Sequence, residues 1–217
     1  MFQLMLYIFT LILGTIFDCT NSKINIFTYL VNIILSNVII LPILIYIRYT
    51  TNTIYNNIKS KYKDTINYLD IYIILRAILS VIGIYINFII LQNSNVFMIQ
   101  YLYCMIPFMT YILQCISYNN KSFNVFISLF VLCIIIYTIK PNIYQMILCI
   151  IYSVNNILCE YQHNSSINAN IVFSIHITFL LTIFLSIYTT NVVVQYYSIY
   201  NFHNILLGIV LQYLYIY

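Results

Sequence analysis

Arg76-Ala77-Ile78-Leu79-Ser80-Val81-Ile82-Gly83-Ile84-Tyr85-Ile86-Asn87-Phe88-Ile89-Ile90-Leu91 is an apolar run that opens on a full charge and carries a Gly and an Asn within it. Gln92-Asn93-Ser94-Asn95 then interrupts it, and a second apolar run follows through Cys104-Met105-Ile106-Pro107-Phe108. Both runs have the length, roughly 17–25 residues, that a helix needs to cross a hydrocarbon layer about 30 Å thick. Backbone groups in lipid must bond within their own segment, so runs of this kind are helices rather than isolated strands. Strands of a membrane barrel would alternate polar and apolar residues over about 10 positions, and this pattern is absent. The preference of Ile and Tyr for strands is weaker than the demand set by run length. The stretch therefore predicts a pair of transmembrane helices joined by a tight polar turn.

Outward from this pair, the whole chain has the same character. Of its 217 residues, 63% are hydrophobic and only 6% are charged, and its mean hydropathy is +0.96. Soluble domains carry about 25% charged residues, so a soluble fold is excluded. The sequence predicts an all-α, polytopic transmembrane helical bundle of about eight spans. These run over 2–17, 26–47, 70–91, 96–117, 123–139, 142–160, 169–189 and 201–217. The bilayer is thus the first expected partner.

The connections are short except for 48–69, the one stretch with the composition of a soluble loop. Arg48, Lys59, Lys61 and Lys63 lie there against Asp64, and they are half of the eight Lys and Arg. The positive-inside rule makes that segment cytoplasmic. Eight spans then place both termini in the cytoplasm, with Lys121 and Glu160 on the same side and Lys23 and Lys140 opposite. The net charge of +4 is accounted for by topology and anionic headgroups, and no nucleic-acid partner is implied. The N-terminus lacks a basic leader, and Phe17-Asp18-Cys19-Thr20 is neither a cleavage site nor a lipidation box. Cys19, Cys104, Cys115, Cys133, Cys149 and Cys159 show no C-x-x-C spacing and read as small apolar residues.

Polar residues inside the spans each admit two readings. Arg76, about two turns into the third span, either snorkels to the headgroups or faces a cavity that attracts anionic groups. Asp70 lies six residues before it, on a different face. Asn87, Gln100 and Gln114 either bond between helices or touch a solute. Pro107 removes a backbone donor in mid-span and kinks the fourth helix, as in any bundle or as in the broken helices of carriers. His163 falls in a loop, and His176 and His203 enter from opposite sides, so they do not make a haem pair. No Asp or Glu lies deep in a span, and no metal or nucleophile constellation occurs. The sequence thus implies no cofactor and no enzyme.

Gly83-Ile84-Tyr85-Ile86-Asn87-Phe88 in the third span resembles Gly208-Ile209-Val210-Leu211-Gln212-Tyr213 in the eighth. Spans one and six also end on Asp18 and Glu160. A five-span unit follows from this pairing, with 1–141 as the first repeat and 142–217 as a partial second one of three helices. An odd number of spans inverts the second copy across the membrane.

Arg76-Ala77, Asn87-Phe88, Leu91-Gln92, Ser94-Asn95-Val96 and Ile106-Pro107-Phe108 together resemble the drug/metabolite transporter superfamily, in particular its EamA-like members. The resemblance extends over nearly the whole chain in span layout and over 75–141 in motif. It implies an incomplete inverted repeat, apparently truncated, and carrier-mediated passage of a small polar or amphipathic metabolite by alternating access. The substrate-binding residues it implies are Arg76 for charge, Asn87 and Gln100 for hydrogen bonds, and Pro107 for a bend beside the cavity. The chain departs from the pattern in the link after span four, Ser117-Tyr118-Asn119-Asn120-Lys121, which lacks the usual Glu. It also has no Gly between Gly83 and Gly208, and two spans fewer than the pattern, which admits a homodimer; the alternative is a degenerate or structural membrane protein without transport activity.

The charge asymmetry fixes an expected outcome. A reporter fused after Lys63 reads cytoplasmic, and a signal from the opposite compartment overturns the assignment of sides.

Overall fold

The computed structural model describes residues 12, 13, 16, 25–56, 66–93, 96–117, 123–163 and 166–189, with the side chains of 51–56, 96–101, 123, 166 and 188–189 left aside. Among the described residues every regular element is a helix. In chain order these are α1 (Ile26–Asn56), α2 (Ile71–Asn93), α3 (Val96–Ser117), α4 (Phe123–Ile139), α5 (Ile143–Tyr161) and α6 (Ser166–Thr189). Six of the eight expected spans correspond to these helices. The expected spans 2–17 and 201–217 lie outside the described residues, apart from 12, 13 and 16.

Side-chain chemistry sets where the helices start and stop. Asn25 caps α1, its Oδ1 accepting the Thr28 N–H at 2.8 Å. Asp70 caps α2 in the same way, accepting the Tyr72 N–H at 3.1 Å. At α5 the cap is reciprocal. The Gln145 N–H donates to Asn142 Oδ1 at 2.9 Å, and the Asn142 N–H donates to Gln145 Oε1 at 2.7 Å. The end of α4 is set by Lys140, whose φ of 50° is left-handed and whose N–H donates to the Ile136 carbonyl at 2.8 Å. Pro141 follows and cannot extend the helix.

One boundary departs from expectation. The stretch 48–69 was expected as a loop, yet α1 continues to Asn56. Thr50 Oγ1 turns back onto the helix, donating to the Ile47 carbonyl at 2.9 Å, so this polar residue is absorbed by the coil rather than ending it.

Among the described residues four helices are long and apolar enough to cross a bilayer: 26–50 of α1, 71–93 of α2, 143–161 of α5 and 167–187 of α6. The apolar parts 102–117 of α3 and 124–139 of α4 are shorter, so four of the eight expected spans have this length. The outward faces of these four are apolar as well. Tyr46 of α1 is 68% exposed, Ile71 of α2 56%, Ile143 of α5 70% and Ile187 of α6 68%. Water would oppose so much bare hydrocarbon, whereas lipid accepts it. The chain is an integral, multi-pass helical membrane protein.

The chain forms two compact units, 1–78 with 162–217, and 79–161. In the first unit α1 packs on α6. Ile40 and Leu44 meet Ile171, while Ile73 at the start of α2 meets Ala169 and Val172. In the second unit α3 packs on both α4 and α5. Leu102, Met105 and Ile112 of α3 form a core with Leu132 of α4 and Cys149 of α5.

Lys140 offers a direct check on the α4 stop. Replacing it by Gly relieves the left-handed strain and is expected to stabilise the folded state by about 0.5–1 kcal/mol after the entropy cost of Gly. Lys140→Val destabilises it. Unfolding in mixed micelles followed by circular dichroism measures both, and the reverse order contradicts this account of the boundary.

Candidate functional site

Two groups of polar residues join separate segments by hydrogen bonds, one in each unit. In the first unit they surround the start of α2. Asp70 is 1% exposed, and its two carboxylate oxygens have different tasks. Oδ1 caps α2 through Tyr72, and Oδ2 accepts the His163 N–H at 2.7 Å from the turn between α5 and α6. A carboxylate at a helix N-terminus also meets the positive end of the helix dipole.

One and a half turns on, Arg76 reaches the same turn. Its Nη1 donates to Gln162 Oε1 at 2.6 Å, and its guanidinium carbon lies 5.0 Å from the centre of the Phe173 ring on α6. A cation over an aromatic face contributes about 0.5–2 kcal/mol, more as water is excluded. The His163 ring stands edge-on to Tyr72 at 5.6 Å. His176 Nε2 lies 2.9 Å from the Tyr68 carbonyl, and because a carbonyl only accepts, this nitrogen carries the proton. Residues 68–76 are thereby tied to 162–176 by two side-chain and two main-chain contacts, with ring packing between them.

The second polar group is organised by α5, which carries two polar faces. Cys149, Ser153, Asn156 and Glu160 recur at spacings of four, three and four, so they form one stripe. Cys149 donates to the Leu102 carbonyl at 3.5 Å and Ser153 to the Ile106 carbonyl at 3.3 Å. Asn156 Nδ2 donates to Thr110 Oγ1 at 3.4 Å, and Gln114 Nε2 donates to Glu160 Oε1. The partners are offset by 46 or 47 residues throughout, so α3 and α5 run parallel and in register. Cys149 and Ser153 are small residues four apart, which lets the two backbones approach.

The other face of α5 meets α2. Asn155 Nδ2 donates to Ser80 Oγ at 3.1 Å. One turn along, Gly83 faces Ile151 and Tyr152, where an added Cβ would lie 3.5 Å from each side chain, an ordinary contact. Asn155 Oδ1 is buried and has no hydrogen-bond partner among the described residues. In a hydrocarbon surround an unmet acceptor is costly.

The residues singled out in the sequence fall as follows. Arg76 belongs to the tie at the start of α2. Asn87 is 4% exposed and shares the α2 face of Ser80, seven residues on. The side chain of Gln100 lies outside the described residues. Pro107 is exposed within α3, where it has no N–H to give the helix, and Ser153 bonds the carbonyl immediately before it. Gln114 bonds between helices. Gln162, Phe173 and Asn155 were not anticipated. The 149/153/156/160 spacing was the available signal for the α5 stripe, and a charge at Arg76 demanded an acceptor that sequence distance concealed. An apolar surface groove along α1, lined by Leu41, Pro42, Ile45 and Tyr46, offers no comparable chemistry. No protein-family model, curated protein or solved structure matches this chain.

Asp70 is the most exacting test of this arrangement. Asp70→Ala removes the α2 cap and strands the His163 N–H, and is expected to cost about 2–3 kcal/mol in mixed-micelle unfolding. Asp70→Asn keeps an acceptor and is expected to cost less than half of that. Equal losses would show that the carboxylate's two acceptor positions are not what holds the turn.

Proposed function

We propose that this multi-pass membrane protein is a secondary transporter of a small polar or amphipathic metabolite, of the EamA-like kind that its 76–108 segment resembles. The observation that supports this reading is the seam between α2 and α5. It holds an acceptor, Asn155 Oδ1, that no described protein group meets. A solute bearing N–H or O–H donors satisfies it, with Ser80 adjacent and Asn87 on the same α2 face. Pro107 of α3, Gln100 and Arg76 remain the further substrate-binding candidates of this reading, Arg76 belonging to the other unit. The eight-span layout, the five-helix repeat, cytoplasmic termini and a homodimer belong to this same reading.

The second reading, a structural membrane protein without transport activity, draws on the α3–α5 stripe. There each polar side chain meets another protein group, which is what a static bundle requires.

Reconstituted vesicles separate the two. Uptake of at least one class among amino acids, nucleotide sugars and amphipathic drugs above that of empty vesicles is expected. Asn155→Leu is expected to lower it about 10-fold, the effect of about 1.4 kcal/mol. Uptake equal to empty vesicles for every class overturns the carrier reading.

A further inference from the structure

The chain leaves its first unit after Ile78 and returns to it at Gln162. Two residues before the exit stands Arg76, and its hydrogen-bond partner is Gln162 itself, at 2.6 Å. The next residue, His163, is held by its main-chain N–H on Asp70 Oδ2 at 2.7 Å. All four residues belong to the same unit. Adjacent residues of one turn are thus tied to adjacent turns of one helix by bonds of unlike kind.

The Asp70 bond joins a buried carboxylate to a backbone amide that cannot rotate away. The Arg76 bond joins two long side chains, and Gln162 is only half-buried beside an exposed His163. Its acceptor is also a neutral amide. Where a buried carboxylate opposite Arg would hold fast, because separating such a pair strands a charge, an amide lets go more readily. After release the guanidinium still has the Phe173 ring at 5.0 Å, so it is not left bare.

We propose that Asp70–His163 is a pivot and Arg76–Gln162 a releasable latch, so that the 162–163 turn alternates between a latched and an unlatched state. The latch controls how tightly the returning chain is held to the helix through which it departs. The neutral acceptor at 162 sets the balance between the states. This proposal does not rest on the transport reading, since neither state requires a solute.

Hydrogen–deuterium exchange of the full chain in lipid nanodiscs tests it. Gln162→Ala is expected to speed exchange of the 162–163 amides about 10-fold while 143–155 of α5 keeps its protection. Gln162→Glu supplies the carboxylate and is expected to slow the same amides about 3-fold or more. Unchanged exchange in Gln162→Ala with native helical content, or no slowing in Gln162→Glu, overturns the latch. Should the Ala variant fail to fold, the Glu variant decides alone. The vesicle uptake of the wild-type chain is independent of either result.

Discussion

Hydrocarbon offers no hydrogen bonds, and α5 brings Cys149, Ser153 and Asn155 into a bundle surrounded by it. Each of these groups must find an atom of the protein or remain unmet at a cost. That constraint fixes how α5 is turned and what lies beside it. With one stripe bonded to α3, the helix has a single rotation that also presents Asn155 to Ser80 of α2. Apolar packing supplies contact area on every face and does not discriminate between rotations. Each interhelical bond in a membrane is worth only about 0.6 kcal/mol, so the register comes from several acting in step.

The same constraint explains the start of α2. A helix end exposes backbone N–H groups, and Asp70 answers one of them while its second oxygen answers a donor from a distant turn. Arg76 would be expensive in lipid if it stood alone. Its Nη1 meets the Gln162 amide oxygen, and its guanidinium lies over the Phe173 ring. Such a partnership screens a cation less completely than an ion pair does, and it makes separation less costly.

Run length made the helices legible, because few arrangements other than a spanning helix suit about 20 apolar residues. The α2 and α5 starts are set by local chemistry, at Asp70 and Asn142, that becomes plain only in the structure. The far end of α1 is not, since Tyr, Thr and Asn between 49 and 56 favour neither state strongly and the helix simply continues. Partners were the illegible part. Arg76 and Gln162 are 86 residues apart, and no local pattern links them. Asn155 was hidden for another reason: Asn is abundant throughout the chain, so one more carries little information until packing shows which atoms are met. The α5 stripe sits between these cases, visible as spacing yet without an address until α3 lies beside it.

Two consequences of one rule separate the polar regions by role. Where polar groups are met within the protein, as along α3 and α5, they fix structure and resist change. Where one is left unmet, as at Asn155 Oδ1, the protein bears a standing cost that a donor from outside relieves. Selection against instability alone would remove such an atom, because Leu at that position would cost less in a hydrocarbon surround. Its presence next to Ser80, on a helix that also carries Asn87, is what the proposed carrier reading rests on, whereas the satisfied stripe offers a solute nothing of the kind.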